Sequence, residues 1–389
     1  MLNALFTLDY ELHGNGDGCP LSLMVEPTAR MLDQFERYGA KLTIMADVAE
    51  ILRFRDYQQE TGRDDFHYER IVAQLKDAIA RGHDVQLHLH ASWFGARHEN
   101  GKWRQDWSNY SFADLPLEKI TEYLQLGKRW LEDLLQPVNA GYRCNVFRAA
   151  NWSMQPSENA IRALTALDFK AETSVFKWGS RQGLVNFNYS SAPHPLLPWR
   201  ASQRDVCKVD EQSPLWEIPI YAECRRVTAF FSLNRIYRAW LSRMHRLPRN
   251  AMGESEPTNA AKSGIGSRLR WFLSKHSWKA DFNQCTGGQL VAALKRAERL
   301  VSPETNGKER IPFVMIGHSK LFTPTNERSL EGFLQFVASN GTRFGFGLYG
   351  DTYPLCHEPP VTVADRPPGV PIDSGGLGNV RLAGCIPAS

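Results

Sequence analysis

Two acids, three histidines and an arginine stand in this chain at spacings that suit catalysis. Asp9 and Glu11 flank Tyr10 in the run Thr7-Leu8-Asp9-Tyr10-Glu11. Residues i and i+2 of a strand project to the same side, so the two carboxylates converge if the run ends a strand. The carboxyl ends of parallel strands are where α/β folds build their sites. The run from Gly82 to His90 alternates, with Asp84, Gln86, His88 and His90 on one side and Val85, Leu87 and Leu89 on the other. Two imidazoles at i and i+2 can chelate one ion from a rigid strand, and neutral His is a common ligand for zinc and related metals. Metal binding by His88 and His90 is therefore preferred over a pair of structural histidines, whereas His83 faces the other way and reads as structural. In Phe147-Arg148-Ala149-Ala150-Asn151-Trp152, Arg148 falls at a strand end, where a guanidinium holds a neighbouring carboxylate ionised and oriented. In Val314-Met315-Ile316-Gly317-His318-Ser319-Lys320, an apolar strand delivers His318 for general acid–base work. Gly317 before it permits a close backbone approach.

Such groups meet only if their strands end together. Short apolar runs alternate with helical periods through the first half of the chain. Strands are expected at 4–8, 41–45, 84–90, 144–148 and 171–176, and helices at 25–38, 68–81 and 156–167. Gly39 and Gly82 stand where the first two helices should stop. Further apolar runs at 215–220, 313–316 and 344–348 fit the same rhythm. Strand–helix–strand alternation implies a parallel sheet, open or closed into a barrel.

Composition narrows the function further. At 42% hydrophobic and 23% charged residues, the 389-residue chain has ordinary globular usage, which excludes a fibre, a rod and a wholly disordered chain. A net charge of +4 is too near balance to indicate nucleic acid. No apolar stretch reaches the roughly 18 residues of a membrane-crossing helix. The opening MLNALFTLDYELHG lacks a basic signal-peptide n-region, so a cytoplasmic protein is expected. The seven cysteines are odd in number and widely spaced, which reads as reduced thiols and not a metal site. Phosphate-loop, dinucleotide and serine-hydrolase glycine motifs are missing.

Taken in order, the four runs resemble the polysaccharide deacetylases of the chitooligosaccharide-deacetylase (NodB-like) family. Thr7 to Glu11 resembles the opening T-F-D motif, and Gly39-Ala40-Lys41-Leu42-Thr43-Ile44 the second strand. Gly82 to His90 is similar to the G-H-E-x-x-x-H stretch, Phe147-Arg148-Ala149 to the arginine motif and Ile316-Gly317-His318 to the late histidine motif. The likeness covers roughly 3–180 and 311–352, and the HLH and GHSK forms look most like the subgroup found with lipopolysaccharide and exopolysaccharide synthesis. It departs in three places. The usual adjacent acids are separated by Tyr10; position 92 is Ser, so His90 must serve as second ligand; and the fourth, Asp-containing motif has only Glu172-Thr173-Ser174 near its place.

The resemblance implies a distorted (β/α)7 barrel over 1–356, while charge and composition place a basic, helical insertion at 225–285 within it and a Pro/Gly-rich tail at 357–389 after it. It implies a divalent metal, zinc by preference, on Glu11, His88 and His90, with Asp9 as base, Arg148 orienting it and His318 as acid. Asn151 and Trp152 are expected to bind substrate, Trp152 by offering an apolar face to a sugar ring. The reaction expected is removal of an N-acetyl group from an amino sugar in a glycan, free or lipid-linked. Two other readings stand beside it: a metal amidohydrolase acting on a cyclic amide, and a non-catalytic glycan-binding protein on the same fold. Between Arg235 and Ala280 lie ten Lys/Arg and two Glu, with Leu233, Ile236, Tyr237, Trp240, Leu241, Met244 and Leu247 at helical spacing. This pattern suits either a helix packed on the barrel or one that docks residues 233–280 on an anionic membrane at the inner face.

Overall fold

The computed structural model describes residues 1–12, 14–230, 274–301 and 309–357. Seven parallel strands form the main path of the sheet: β1 (Leu2–Tyr10), β2 (Leu42–Asp47), β3 (Asp84–Leu89), β4 (Val146–Ala149), β5 (Ala171–Glu172), β6 (Trp216–Glu217) and β7 (Ile311–His318), and a short further strand, Phe344–Phe346, pairs parallel with the start of β1. Their spatial order is β6-β5-β4-β3-β2-β1-β7. Beyond β6 the sheet continues through the antiparallel strands Trp199–Ser202 and Asp205–Val209. The sheet curls, and just past β6 Ile220 forms a parallel bridge with Val314 of β7, joining the two ends of the seven. The architecture is the distorted α/β barrel expected from the sequence. Met1–Cys356 form one compact unit. No described helix is long and apolar enough to cross a membrane.

The helices that pack on this sheet are α1 (Glu26–Glu36), α2 (Val48–Thr61), α3 (Tyr68–Ala80), α4 (Leu117–Leu135), α5 (Glu158–Ala166), α6 (Gly287–Glu298) and α7 (Pro324–Ala338). In α3, Ile71, Leu75, Ala78 and Ile79 form the buried stripe that their i, i+4 spacing requires. In α1, Met31, Leu32 and Phe35 do the same, and Phe35 packs on Phe6 of β1 with ring centroids 4.3 Å apart. α6 and α7 start at capping boxes, Thr286 with Gln289 and Thr323 with Asn326, which satisfy helix-end N–H groups. β1 is buried along its whole length, so it is mostly apolar, and its interior polar residues bond to neighbouring main chain, Asn3 Nδ2 to the Phe346 carbonyl at 3.2 Å and Thr7 Oγ1 to the Met315 carbonyl at 2.7 Å.

One expectation is corrected. The strand expected over 171–176 is only Ala171–Glu172: the Thr173 N–H still donates to the Phe147 carbonyl at 3.0 Å, but the next two N–H groups go to side chains, Ser174 to Glu172 Oε2 at 3.0 Å and Val175 to Glu217 Oε1 at 3.2 Å. Of the insertion expected at 225–285, only the arms are described, and they pair as a ribbon, Ala222–Arg226 antiparallel with Lys275–Lys279, while residues 231–273 lie outside the described residues. A ladder there satisfies the main chain of both arms where they meet the sheet, at Tyr221 and Ala280. The apolar stripe expected over 233–247 and the second basic stretch at 269–273 lie outside the described residues, as does the tail from 358 to 389.

The ladder between β5 and β6 sets Glu172 opposite Glu217, and both are fully buried. Burial and then the neighbouring Glu172 charge push the Glu217 carboxyl well above its ordinary range. Glu217 is therefore the acid of this pair whose proton is held more tightly on folding. A carboxyl raised on folding stabilises the fold below its unfolded pKa, and that stabilisation is lost as pH rises through the folded value. Glu217→Gln keeps the hydrogen bonds without a titrating proton. Urea unfolding at pH 5 and pH 9 is expected to find the variant more stable than wild type at pH 9 and similar to it at pH 5. A wild type that loses no stability relative to the variant at pH 9 would contradict the raised Glu217 carboxyl.

Candidate metal centre and active site

The site lies where β1, β2, β3, β4 and β7 end. The ladder pairs Asp9 with His318, residues 309 positions apart in the chain. It pairs His88 with Asp47 on one side and with Arg148 on the other. Strand periodicity then sorts the side chains. Tyr10 turns away from the site, and its hydroxyl donates to Gln74 Oε1 at 2.8 Å. Asp9 and Glu11 turn inward, Glu11 one residue past the end of β1. Gly317 allows the close approach its position suggested, since a Cβ there would sit 2.2 Å from the Phe282 ring.

Arg148 is 0% exposed, and each of its nitrogens has a role. Nη1 donates to Asp9 Oδ1 at 2.7 Å, Nε to the Thr173 carbonyl at 3.0 Å, and Nη2 reaches the Tyr349 hydroxyl at 3.5 Å. Burial by itself would raise the Asp9 pKa, but Arg148, His88 and His318 outweigh it and hold Asp9 below the usual carboxylate value. Across from this pair, His318 Nε2 is 3.5 Å from Asp9 Oδ2 and 3.9 Å from Glu11 Oε1. Burial pushes the His318 pKa down against the pull of those carboxylates, which leaves the ring neutral near pH 7. Asn283 holds the end of the strand, its Oδ1 accepting the His318 main-chain N–H at 2.6 Å.

Glu11, His88 and His90 form the cluster. Each offers one ligand atom, and the three atoms lie within 4.8 Å of one another. Glu11 Oε2 is 3.3 Å from His88 Nε2 and 3.1 Å from His90 Nδ1. Burial would lower the His88 pKa, yet Asp9, Glu11 and Asp47 carry it up to about 9. The Glu11 carboxyl is held well below its ordinary range despite burial, chiefly by Lys320 and then His90. Two imidazoles and a carboxylate are a ligand set that zinc accepts, and the carboxylates stabilise positive charge at the point where the ligand atoms meet. The residues present therefore fit a divalent cation.

Not every candidate joins this cluster. His83 is structural, its Nδ1 accepting the Leu42 N–H at 3.1 Å and its Nε2 lying 3.2 Å from Glu36. Gln86, on the same side of β3 as His88, accepts the Asn145 and Val146 N–H groups and belongs to the sheet's support. Asn151 and Trp152 follow β4 with φ of 55° and 56°, a left-handed pair that turns the chain sharply. Asn151 Oδ1 accepts from Tyr110 and Arg181, and Lys279 Nζ lies 3.3 Å from the centroid of the Trp152 ring. One face of that ring is thus covered by an ammonium group, and neither residue bonds to the acid–histidine cluster.

Three participants were not read from the sequence. Asp47 ends β2 and contacts His90; Lys320 Nζ donates to Glu11 Oε1 at 2.7 Å; Tyr349 meets Arg148 and Thr173. Asp47 carried a usable signal, an acid at the carboxyl end of a strand, but the run read over 41–45 stops two residues short of it. Lys320 follows the His318 motif directly, while nothing local marks Tyr349.

No family model matches the chain, and no curated protein matches it. Solved structures with a similar course of the chain include a protein assigned as a polysaccharide deacetylase from Mycobacterium smegmatis, at 13% identity over 89% of this chain and 87% of that one, with a TM-score of 0.43. A protein assigned likewise from Pseudomonas aeruginosa PAO1 is 15% identical over 90% and 89%, with a TM-score of 0.43. The Puue allantoinase is 14% identical over 90% and 88%, with a TM-score of 0.44. These likenesses are too distant for residues to correspond one to one, and the roles considered below rest on the geometry of the site itself.

Proposed function

We propose that the protein is a metal-dependent hydrolase that removes an N-acetyl group from an amino sugar in a cell-surface glycan or its precursor. The observation that carries this reading is the adjacency of two units: a buried Glu11–His88–His90 ligand set and a buried Asp9–Arg148 pair that faces His318. A divalent ion on the ligand set, zinc by preference, would supply polarisation of the amide carbonyl and a lowered pKa for the attacking water.

The chain's own groups handle the protons. Asp9, kept ionised by Arg148, accepts a proton as the water oxygen bonds to the acyl carbon. His318 is neutral at rest, and its Nε2 faces the same carboxylate, so the proton that Asp9 takes passes to His318 and from there to the amide nitrogen. Protonation turns that nitrogen into a competent leaving group, the C–N bond breaks, and acetate and a free amine result. Arg148, itself held by Tyr349, fixes the base from behind, and the buried surroundings keep bulk water from competing for the proton.

The test joins metal analysis to acetate release from N-acetylated glycan fragments. Purified protein is expected to hold about one ion, and His88→Ala and His90→Ala to lose most of it. Both variants at full metal occupancy would overturn the ligand set. Metal binding without acetate release would favour a cyclic-amide substrate, and neither metal nor acetate would favour a binding protein.

A further inference from the structure

Resting on the metal reading above, we infer that Asp47 is a positioning residue for the metal centre, the outer partner that holds His90 in the tautomer with its lone pair on Nε2. Asp47 is fully buried at the last position of β2. Its Oδ2 accepts the His90 Nδ1–H at 2.8 Å, and its Oδ1 accepts the His90 main-chain N–H at 3.2 Å. One carboxylate therefore grips both the ring and the backbone of the same residue. Helix capping does not account for it: Asp47 caps α2 only through a 3.5 Å contact with the Glu50 N–H, at the outer limit of a hydrogen bond.

His88 is treated in the same way by a different group. Its Nδ1 donates to the Arg148 carbonyl at 2.9 Å, and the opposite nitrogen, Nε2, is the one that faces Glu11. A ring nitrogen that carries a proton cannot bind an ion, so the acceptor on Nδ1 decides which nitrogen ligates. His90 Nδ1 also lies 3.1 Å from Glu11 Oε2, but it has a single proton, and the shorter contact with proper hydrogen-bond geometry is the one to Asp47. Glu11 completes the set, with Lys320 on Oε1 leaving Oε2 toward the histidines. Each proposed ligand thus has a dedicated outer partner, and that of His90 is a carboxylate on β2, the strand next to that of the proposed base.

The experiment measures zinc affinity of the full chain by competition with a chromophoric chelator, for wild type, Asp47→Ala and Asp47→Ser. Serine retains a helix cap and so separates loss of the clamp from loss of fold, which circular dichroism and melting of the metal-free proteins follow. Loss of an outer-shell partner typically weakens binding about 10–100-fold, and that range is expected in both variants. Long-range ¹H–¹⁵N correlation spectra of the zinc-loaded wild type are expected to find His90 protonated at Nδ1 and ligating through Nε2, a signature that a merely structural aspartate would not set. Wild-type affinity in both variants, or ligation through Nδ1, would overturn the inference while leaving the metal centre intact. A wild type that binds no zinc would overturn the metal reading and this inference together.

Discussion

Asp9→Asn is expected to lower kcat by about 10²–10⁴-fold, the usual contribution of a general base, with KM changed little. The substitution keeps the shape of the side chain and an acceptor oxygen for Arg148 Nη1, which now stands 2.7 Å from Asp9 Oδ1. What it removes is the capacity to take a proton at the position that faces His318 Nε2. His318→Ala removes the other end of the same relay and is expected to fall within the same range. Because the two act on one proton, the double variant should lose little more than either single one. Acetate release under saturating substrate measures this, and near wild-type turnover in either single variant would rule out the proposed chemistry.

Arg148→Met is expected to destabilise the metal-free protein by about 3–5 kcal/mol, the cost of leaving a buried charge without its partner. Arg148 is wholly buried and its guanidinium is divided between Asp9, Thr173 and Tyr349. The pH dependence has a definite sign. Asp9 titrates below its ordinary value in the folded protein, so its pairing stabilises the fold above the unfolded pKa of about 3.9 and is lost as pH falls through the lower folded value. The gap between wild type and variant, read by urea unfolding, should therefore be widest near neutral pH and shrink toward pH 3. A gap that is constant with pH would mean that packing of the arginine stem, and not its charge, supports the site.

Alternation and strand-end chemistry made much of this molecule legible in one dimension. His88 and His90, and Asp9 and Glu11, were readable as pairs because a strand repeats every two residues and places i and i+2 on one side whatever the rest of the fold does. The buried stripe of α3 and the need for glycine at 317 are local in the same sense, one set by the helical repeat and the other by the room a backbone leaves. Partnership between distant residues is not local. That Asp9 stands beside His318, that Arg148 crosses to Asp9, and that Asp47 contacts both the ring and the main chain of His90 depend on strand order and register. A one-residue shift in any of these ladders would turn the side chains to the other side of the sheet. The same dependence explains why the arms of the insertion pair as strands: their ladder follows from where the barrel lets the chain leave and return. The sequence by itself determined the kinds of chemistry available and the local direction of each side chain, because both follow from residue type and backbone period. Only the tertiary structure decided which groups touch, and through contact which are ionised, because burial and the charge of a neighbour on another strand set both.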